Sequence, residues 1–120
     1  MTYKQRTFDA CRKIIDKYEN PTREHDYFRH LCCPLCKLYY RWGVCRGCFM
    51  ANDNGLIGCN EFRSSWRAHR DYNDGDIFEV TNSFRLRAQF FREMLVELEA
   101  YPDRQFTPSG WQYFDIDRGR

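Results

Sequence analysis

The sequence predicts a single, mainly helical domain with a small cysteine-rich hairpin insert. Three observations lead there. Apolar residues recur at three- and four-residue spacing near both ends of the chain, as one buried helix face requires. The stretch "CPLCKLYYRWGVCRGC", residues 33–48, places two C-x-x-C pairs on either side of eight residues. Aromatics make up 18% of 120 residues, which is bulky apolar surface enough for one core, and no Pro-, Gly- or Ser-rich linker divides the chain.

The spacing predicts a first helix over residues 2–18, with Thr2 and Gln5 as a capping box and Asn20-Pro21 as its end. Phe8, Cys11, Ile15 and Tyr18 form its apolar series, and Cys11 reads as core. "TREHDYFRHL" suggests a second, shorter helix capped by Thr22, with Tyr27, Phe28 and Leu31 inward. These N-terminal helices account for residues 1–31, and the cysteine-rich region for 32–60. In residues 61–120, "NEFRSSWRAHRDY" predicts a helix with Phe62, Trp66 and His69 on one side, ended by the turn-forming "NDGD". After the polar "TNS", Phe84, Ala88, Phe91, Leu95 and Leu98 give the clearest helix, stopped before Pro102. Phe106, Trp111, Tyr113 and Phe114 are too many aromatics for a free tail, so part of it packs back.

The cysteines call for a metal. The first twenty residues carry charges every few positions and no apolar run, so the chain reads as intracellular, where seven cysteines would not form a stable disulfide framework. A C-x-x-C turn aims two thiolates at one point, and two such turns close a tetrahedral shell of the kind that holds structural Zn²⁺. Pro34 and Gly47 favour these turns, and "KLYYRWGV" is short enough for a hairpin turning at Gly43. Cys33, Cys36, Cys45 and Cys48 are the expected ligands of this zinc-knuckle insert. Cys59, reached through Gly55 and Gly58, is an alternative that replaces Cys45 or Cys48. Cys32 reads as a buried thiol and His30 as a helix-surface residue. An iron–sulfur cluster takes the same four thiolates, and spacing does not separate it from zinc.

Charge is unevenly spread. Residues 1–70 hold thirteen Lys or Arg against seven Asp or Glu, and residues 71–120 hold six against ten. No acid lies between Asp26 and Asp53, where Arg41 and Arg46 are interleaved with Tyr39, Tyr40 and Trp42. Basic and aromatic residues together suit single-stranded nucleic acid or a nucleotide, through phosphate contacts and base stacking. The competing explanation is structural: a four-thiolate zinc centre is a net dianion, so cations and an aromatic cover beside it are favoured without any ligand. Arg63, Arg67 and Arg70 form a second basic stripe next to Trp66, which by default is a solvated helix face.

Catalysis finds no motif. His25 and His30 are five apart and make no H-E-x-x-H pair, "CCPLC" lacks the preceding H-x-E of zinc deaminases, and no G-x-S-x-G elbow or phosphate-binding glycine loop occurs. A closed four-thiolate shell also leaves no position for a reactive water. The chain is therefore expected not to be an enzyme.

The order "CPLCKLY", "CRGC", "GLIGC" resembles small cysteine-rich proteins of tailed phages and prophages, in which C-x-L-C, C-x-G-C and a later G-x-x-C recur. The resemblance covers residues 32–60 and carries over Cys33, Cys36, Cys45, Cys48 and Cys59. It implies metal binding and a phage setting in a host cytoplasm, with a host or defence-system protein as partner and the chain as accessory protein or inhibitor. Phe49-Met50 stands where a proline is common in that family, and the long last helix and aromatic tail are departures from it. No membrane role is expected.

Overall fold

The computed structural model describes residues 1–22, 33–42, 44–52, 58–108 and 113–120. The helix expected over residues 22–31, together with Cys32, His25, His30, Gly43, Gly55 and Trp111, lies outside the described residues apart from Thr22. Four α-helices carry the fold: α1 (Tyr3–Glu19), α2 (Pro34–Tyr39), α3 (Arg63–Asp74) and α4 (Ile77–Leu98), with single 3-10 turns at Cys59–Glu61 and Asp103–Gln105. The radius of gyration, 13.9 Å, is that of one folded domain of this length, roughly 13–14 Å.

Helix α1 starts where its caps dictate. Thr2 accepts from the Gln5 N–H at 3.1 Å and Gln5 Oε1 accepts from the Thr2 N–H at 2.8 Å, so two otherwise orphaned donors are satisfied. Asn20 closes its far end through a bond to the Asp16 carbonyl at 2.8 Å. Phe8, Cys11, Ile14, Ile15 and Tyr18 are buried along the face turned to α4.

Helix α4 is the axis of the domain, with α1 and α3 both packed along it. It begins at Ile77, before the expected polar start at Thr81. Asp76 accepts from the Glu79 N–H at 2.9 Å and Glu79 accepts from the Asp76 N–H at 3.4 Å, so part of the presumed "NDGD" turn is a second capping box. Phe84, Ala88, Phe91 and Leu98 are buried as the spacing predicts, and Arg87, Phe90 and Met94 join them. Tyr18 meets Phe84 edge-on at 5.0 Å between ring centroids, and Phe91 is flanked by Phe90 at 5.2 Å.

Helix α3 buries a different face from the one expected. Phe62, Ser65, Ala68 and Asp71 turn inward, while Trp66 and His69 are exposed. The small side chains at 65 and 68 let α3 approach α4 closely, with Phe62 packing on Phe90 at 5.2 Å. Trp66 is too large for that seam and lies outside it under the Arg70 guanidinium, 4.9 Å from the ring.

The tail folds back as expected. Phe106 and Phe114 are buried 5.2 Å apart, and Tyr101 meets Phe114 at 4.9 Å, while Tyr113 is exposed. Lys4 donates to the Tyr101 carbonyl at 2.8 Å and the Glu99 carbonyl at 3.1 Å, satisfying acceptors beyond the end of α4 and holding the tail's entry against α1.

The hairpin needs correcting. No β-strand occurs among the described residues. Among the described residues of this region, the pairing is an isolated antiparallel bridge between Arg41 and Val44, with both bonds at 2.9 Å. Residues 34–39 are helical because Pro34 occupies the first turn, where its missing N–H costs nothing.

Candidate metal centre

Helix α2 presents its cysteines to the core because its two large apolar residues anchor it. Leu35 and Tyr39 are buried against α1. Tyr39 donates to Thr7 Oγ1, whose own proton goes to the Tyr3 carbonyl at 2.7 Å. That leaves Cys33, just before the helix, and Cys36, in its first turn, facing inward.

The second pair sits on a tight turn that only glycine permits. Gly47 has φ +91°, and a Cβ there would stand 2.3 Å from the Thr107 carbonyl oxygen. The tail thus packs directly on the second C-x-x-C turn, and Arg118 adds a bond to the Met50 carbonyl at 2.7 Å. Phe49, Met50 and Ala51 follow as core, with Phe49 edge-on to Phe91. Gly58 brings the next segment within 3.5 Å of the Cys45 sulfur, counted from where its Cβ would be, so Cys59 arrives at the same place.

Cys33, Cys36, Cys45, Cys48 and Cys59 line one cavity of about 60 Å³, at the junction of α1, α2, α4 and the loops. Tyr18, Met50, Phe91 and Arg87 complete its wall. Cys11 lies apart from it in the α1–α4 core. As they stand, no three His, Cys, Asp or Glu side chains among the described residues form a group able to hold a metal ion.

Comparison with protein families, with curated proteins and with solved structures finds no match.

The electrostatics of the cavity separate its thiols. The Cys36 thiol beside it holds Cys33 below the ordinary thiol range against the cost of burial, and the N–H groups of Cys36 and Leu35 add to this. Cys36 is correspondingly pushed up because it keeps the shared proton. Burial pushes Cys45 up to about 11, with the Cys59 and Cys33 sulfurs adding to the effect. Burial also raises Cys48, opposed by the Met50 N–H, and Cys59, opposed by the Arg87 guanidinium. Several thiols crowded into one partly buried site resist ionising together unless a cation joins them.

A soft dication is the species whose chemistry fits these donors. Thiolates are its preferred ligands, backbone N–H groups already favour charge on Cys33, Cys48 and Cys59, and a buried guanidinium stands by. Cys33, Cys36, Cys45, Cys48 and Cys59 are the thiols that line the cavity.

The expected basic and aromatic patch does not stay together. Tyr39 is 1% exposed and belongs to the core, so no ligand at the surface reaches it. Tyr40 lines the cavity and Arg46 is half-buried. Arg41 is exposed but turned onto its own chain, donating to the Tyr40 carbonyl at 2.8 Å. Trp42 alone projects, 99% exposed and at φ 54°, a left-handed conformation uncommon outside glycine.

Arg87 is the residue that sequence reading missed. Its position carried a signal, since it falls three after Phe84 and four before Phe91 on the core face of α4. A charged residue inside an apolar stripe asks for a buried partner.

Proposed function

We propose that this chain is a non-enzymatic binding module whose fold is stapled by Zn²⁺ held on cysteine thiolates. The observation that carries the reading is the arrival of five cysteines, from three separate segments, at one small cavity. Four thiolates would fill a zinc coordination shell and leave no open position, which suits a structural role. In this reading residues 33–36 and 45–48 are the two halves of a zinc knuckle. The staple would join α2, the Gly47 turn and the tail behind it, so metal binding and folding are linked.

Binding to a host or defence-system protein, as a phage accessory protein or inhibitor, follows from the likeness of residues 32–60 to the phage proteins. The test is metal analysis of the purified protein, followed by capture of partners from host lysate with and without nuclease. Absence of both zinc and iron would remove the staple, and capture that depends on nucleic acid would remove the protein-partner reading.

Trp42 favours a second reading. A fully exposed indole beside Arg41 is a stacking platform next to a cation, as in single-strand nucleic-acid binding. Exposed Trp66, with Arg70 over its ring and Arg63 one turn earlier, offers a similar pairing on α3. A phosphate-driven complex would weaken steeply with salt, and an apolar protein interface would not.

A further inference from the structure

Arg87 sits in the middle of α4, 3% exposed, with its guanidinium at the wall of the five-cysteine cavity. The aromatic rings of Phe90 and Phe91 lie 5.0 and 4.7 Å from it. Its Nη1 donates to Ser64 Oγ at 2.9 Å and the Tyr18 hydroxyl takes another hydrogen bond, both neutral partners. Its Nε is buried and has no acceptor, and no carboxylate among the described residues pairs with it.

A guanidinium does not shed its charge inside a protein, so burial without an anion is costly, far more so than for a group that can neutralise itself. The groups around the cavity able to become anionic are the thiols. Cys33 and Cys59 line the same cavity wall as Arg87. A divalent metal on four thiolates is a net dianion, which needs a cation nearby as much as Arg87 needs an anion.

We propose that Arg87 is the built-in counter-ion of a metal–thiolate centre, its Nε–H donating to a metal-bound sulfur. The proposal rests on the zinc reading and refines it. The site takes a soft dication on an all-thiolate, anionic shell, and Arg87 positions and stabilises that shell without being a ligand itself.

The expected effects have opposite signs in the metal-free and metal-loaded protein. Arg87→Met removes a buried charge lacking an anionic partner, so the metal-free protein should keep or gain thermal stability. The same change should weaken zinc affinity at least tenfold in chelator competition, shrink the zinc-induced rise in Tm, and move the pH of half-maximal metal release upward. Arg87→Lys, which keeps the charge, should recover much of the affinity. Cobalt substituted for zinc should give thiolate-to-metal charge-transfer bands in wild type that shift in Arg87→Met.

If wild type binds neither zinc nor cobalt, the zinc reading fails and this proposal falls with it. If wild type binds metal and Arg87→Met binds it equally well, with the same pH of release, only the counter-ion role is overturned. If Arg87→Met fails to fold without metal, Arg87 is a structural partner of Ser64 and Tyr18, and the proposal is likewise overturned.

Discussion

Tyr39 donates its hydroxyl proton to Thr7 Oγ1, and this one bond ties the cysteine-bearing helix α2 to the first helix of the fold. Both side chains are buried, and the Thr7 proton is already committed to the Tyr3 carbonyl at 2.7 Å. The two ends of the bond are therefore unequal. Tyr39→Phe leaves Thr7 its donor bond and should cost about 0.5–1.5 kcal/mol, whereas Thr7→Val strands a buried phenol and should cost about 1–3 kcal/mol. Denaturant titration of both variants measures this, and a larger loss for Tyr39→Phe would contradict the assigned direction of the bond.

Metal retention should follow the cavity-lining thiols. Purified protein should carry about one equivalent of zinc, as one four-ligand site requires, and Ser at Cys33 or Cys36 should abolish it and lower Tm. Comparing Cys45→Ser, Cys48→Ser and Cys59→Ser identifies the remaining ligands: the variant that keeps its metal names the thiol outside the shell. Acid should release the metal, because ligands must lose their protons to bind and falling pH returns them. Cys11→Ser, outside the cavity, should leave metal content unchanged.

Gly47 is a point where the fold admits no side chain. Ala there would combine a left-handed backbone with a Cβ 2.3 Å from the Thr107 carbonyl oxygen. Strain alone costs about 1–3 kcal/mol, and the clash pushes the tail off the second cysteine turn. Gly47→Ala should lower Tm by several degrees and increase proteolysis after residue 106. Unchanged stability would mean that tail and turn are not packed as described.

Stability of the metal-free protein should fall on the alkaline side. Burial pushes the Cys11 thiol from an ordinary 9.0 up to about 12, with the nearby Cys33 contributing, and burial likewise raises Tyr39 and Tyr18. A raised pKa in the fold means that the unfolded chain loses its proton first. The contribution is fully present below pH 9.0 and is lost as pH climbs toward about 12, at up to about 1.4 kcal/mol per pH unit for a single thiol. Cys11→Ala should be less stable at neutral pH but show a shallower alkaline decline. An equally steep decline would assign the effect to the tyrosines.

Trp42 should matter to binding and not to folding. As a fully exposed side chain, Trp42→Ala should change stability by no more than about 0.5 kcal/mol. If nucleic acid is the ligand, this change should remove about 1–3 kcal/mol of affinity for single strands, and Arg41→Ser with Arg46→Ser should lower the salt slope by roughly one per lost phosphate contact. Should the arginine pair instead lower metal retention or Tm, they serve the thiolate centre.

Much of the helical framework was legible in the chain because its signals are local. The Thr2–Gln5 box, the Asn20-Pro21 stop and the apolar series of α1 lie within a few residues of the bonds they make, as does the Phe84–Leu98 stripe of α4. Even the Asp76–Glu79 box was there to be read, hidden by the turn-like composition of "NDGD". Residues whose role depends on a distant surface behaved differently. Trp66 and His69 were grouped with Phe62 on one side of α3 by spacing, yet Phe62 is buried with Ser65, Ala68 and Asp71 while Trp66 and His69 are exposed. Tyr39 read either as a stacking aromatic among arginines or as cover for the cysteines, and its burial with a bond to the Thr7 hydroxyl, thirty-two residues earlier, makes it core.

The same division runs through the candidate site. Spacing by itself paired Cys33 with Cys36 and Cys45 with Cys48, since two residues between cysteines define one turn. Only the tertiary structure decided that both turns and Cys59 line one cavity, that the tail closes over Gly47, and that Arg87 enters from α4 with no carboxylate paired to it among the described residues. The reason is physical: a turn is set by the backbone preferences of neighbouring residues, whereas a charge without a counter-charge is defined by what the rest of the fold brings within reach.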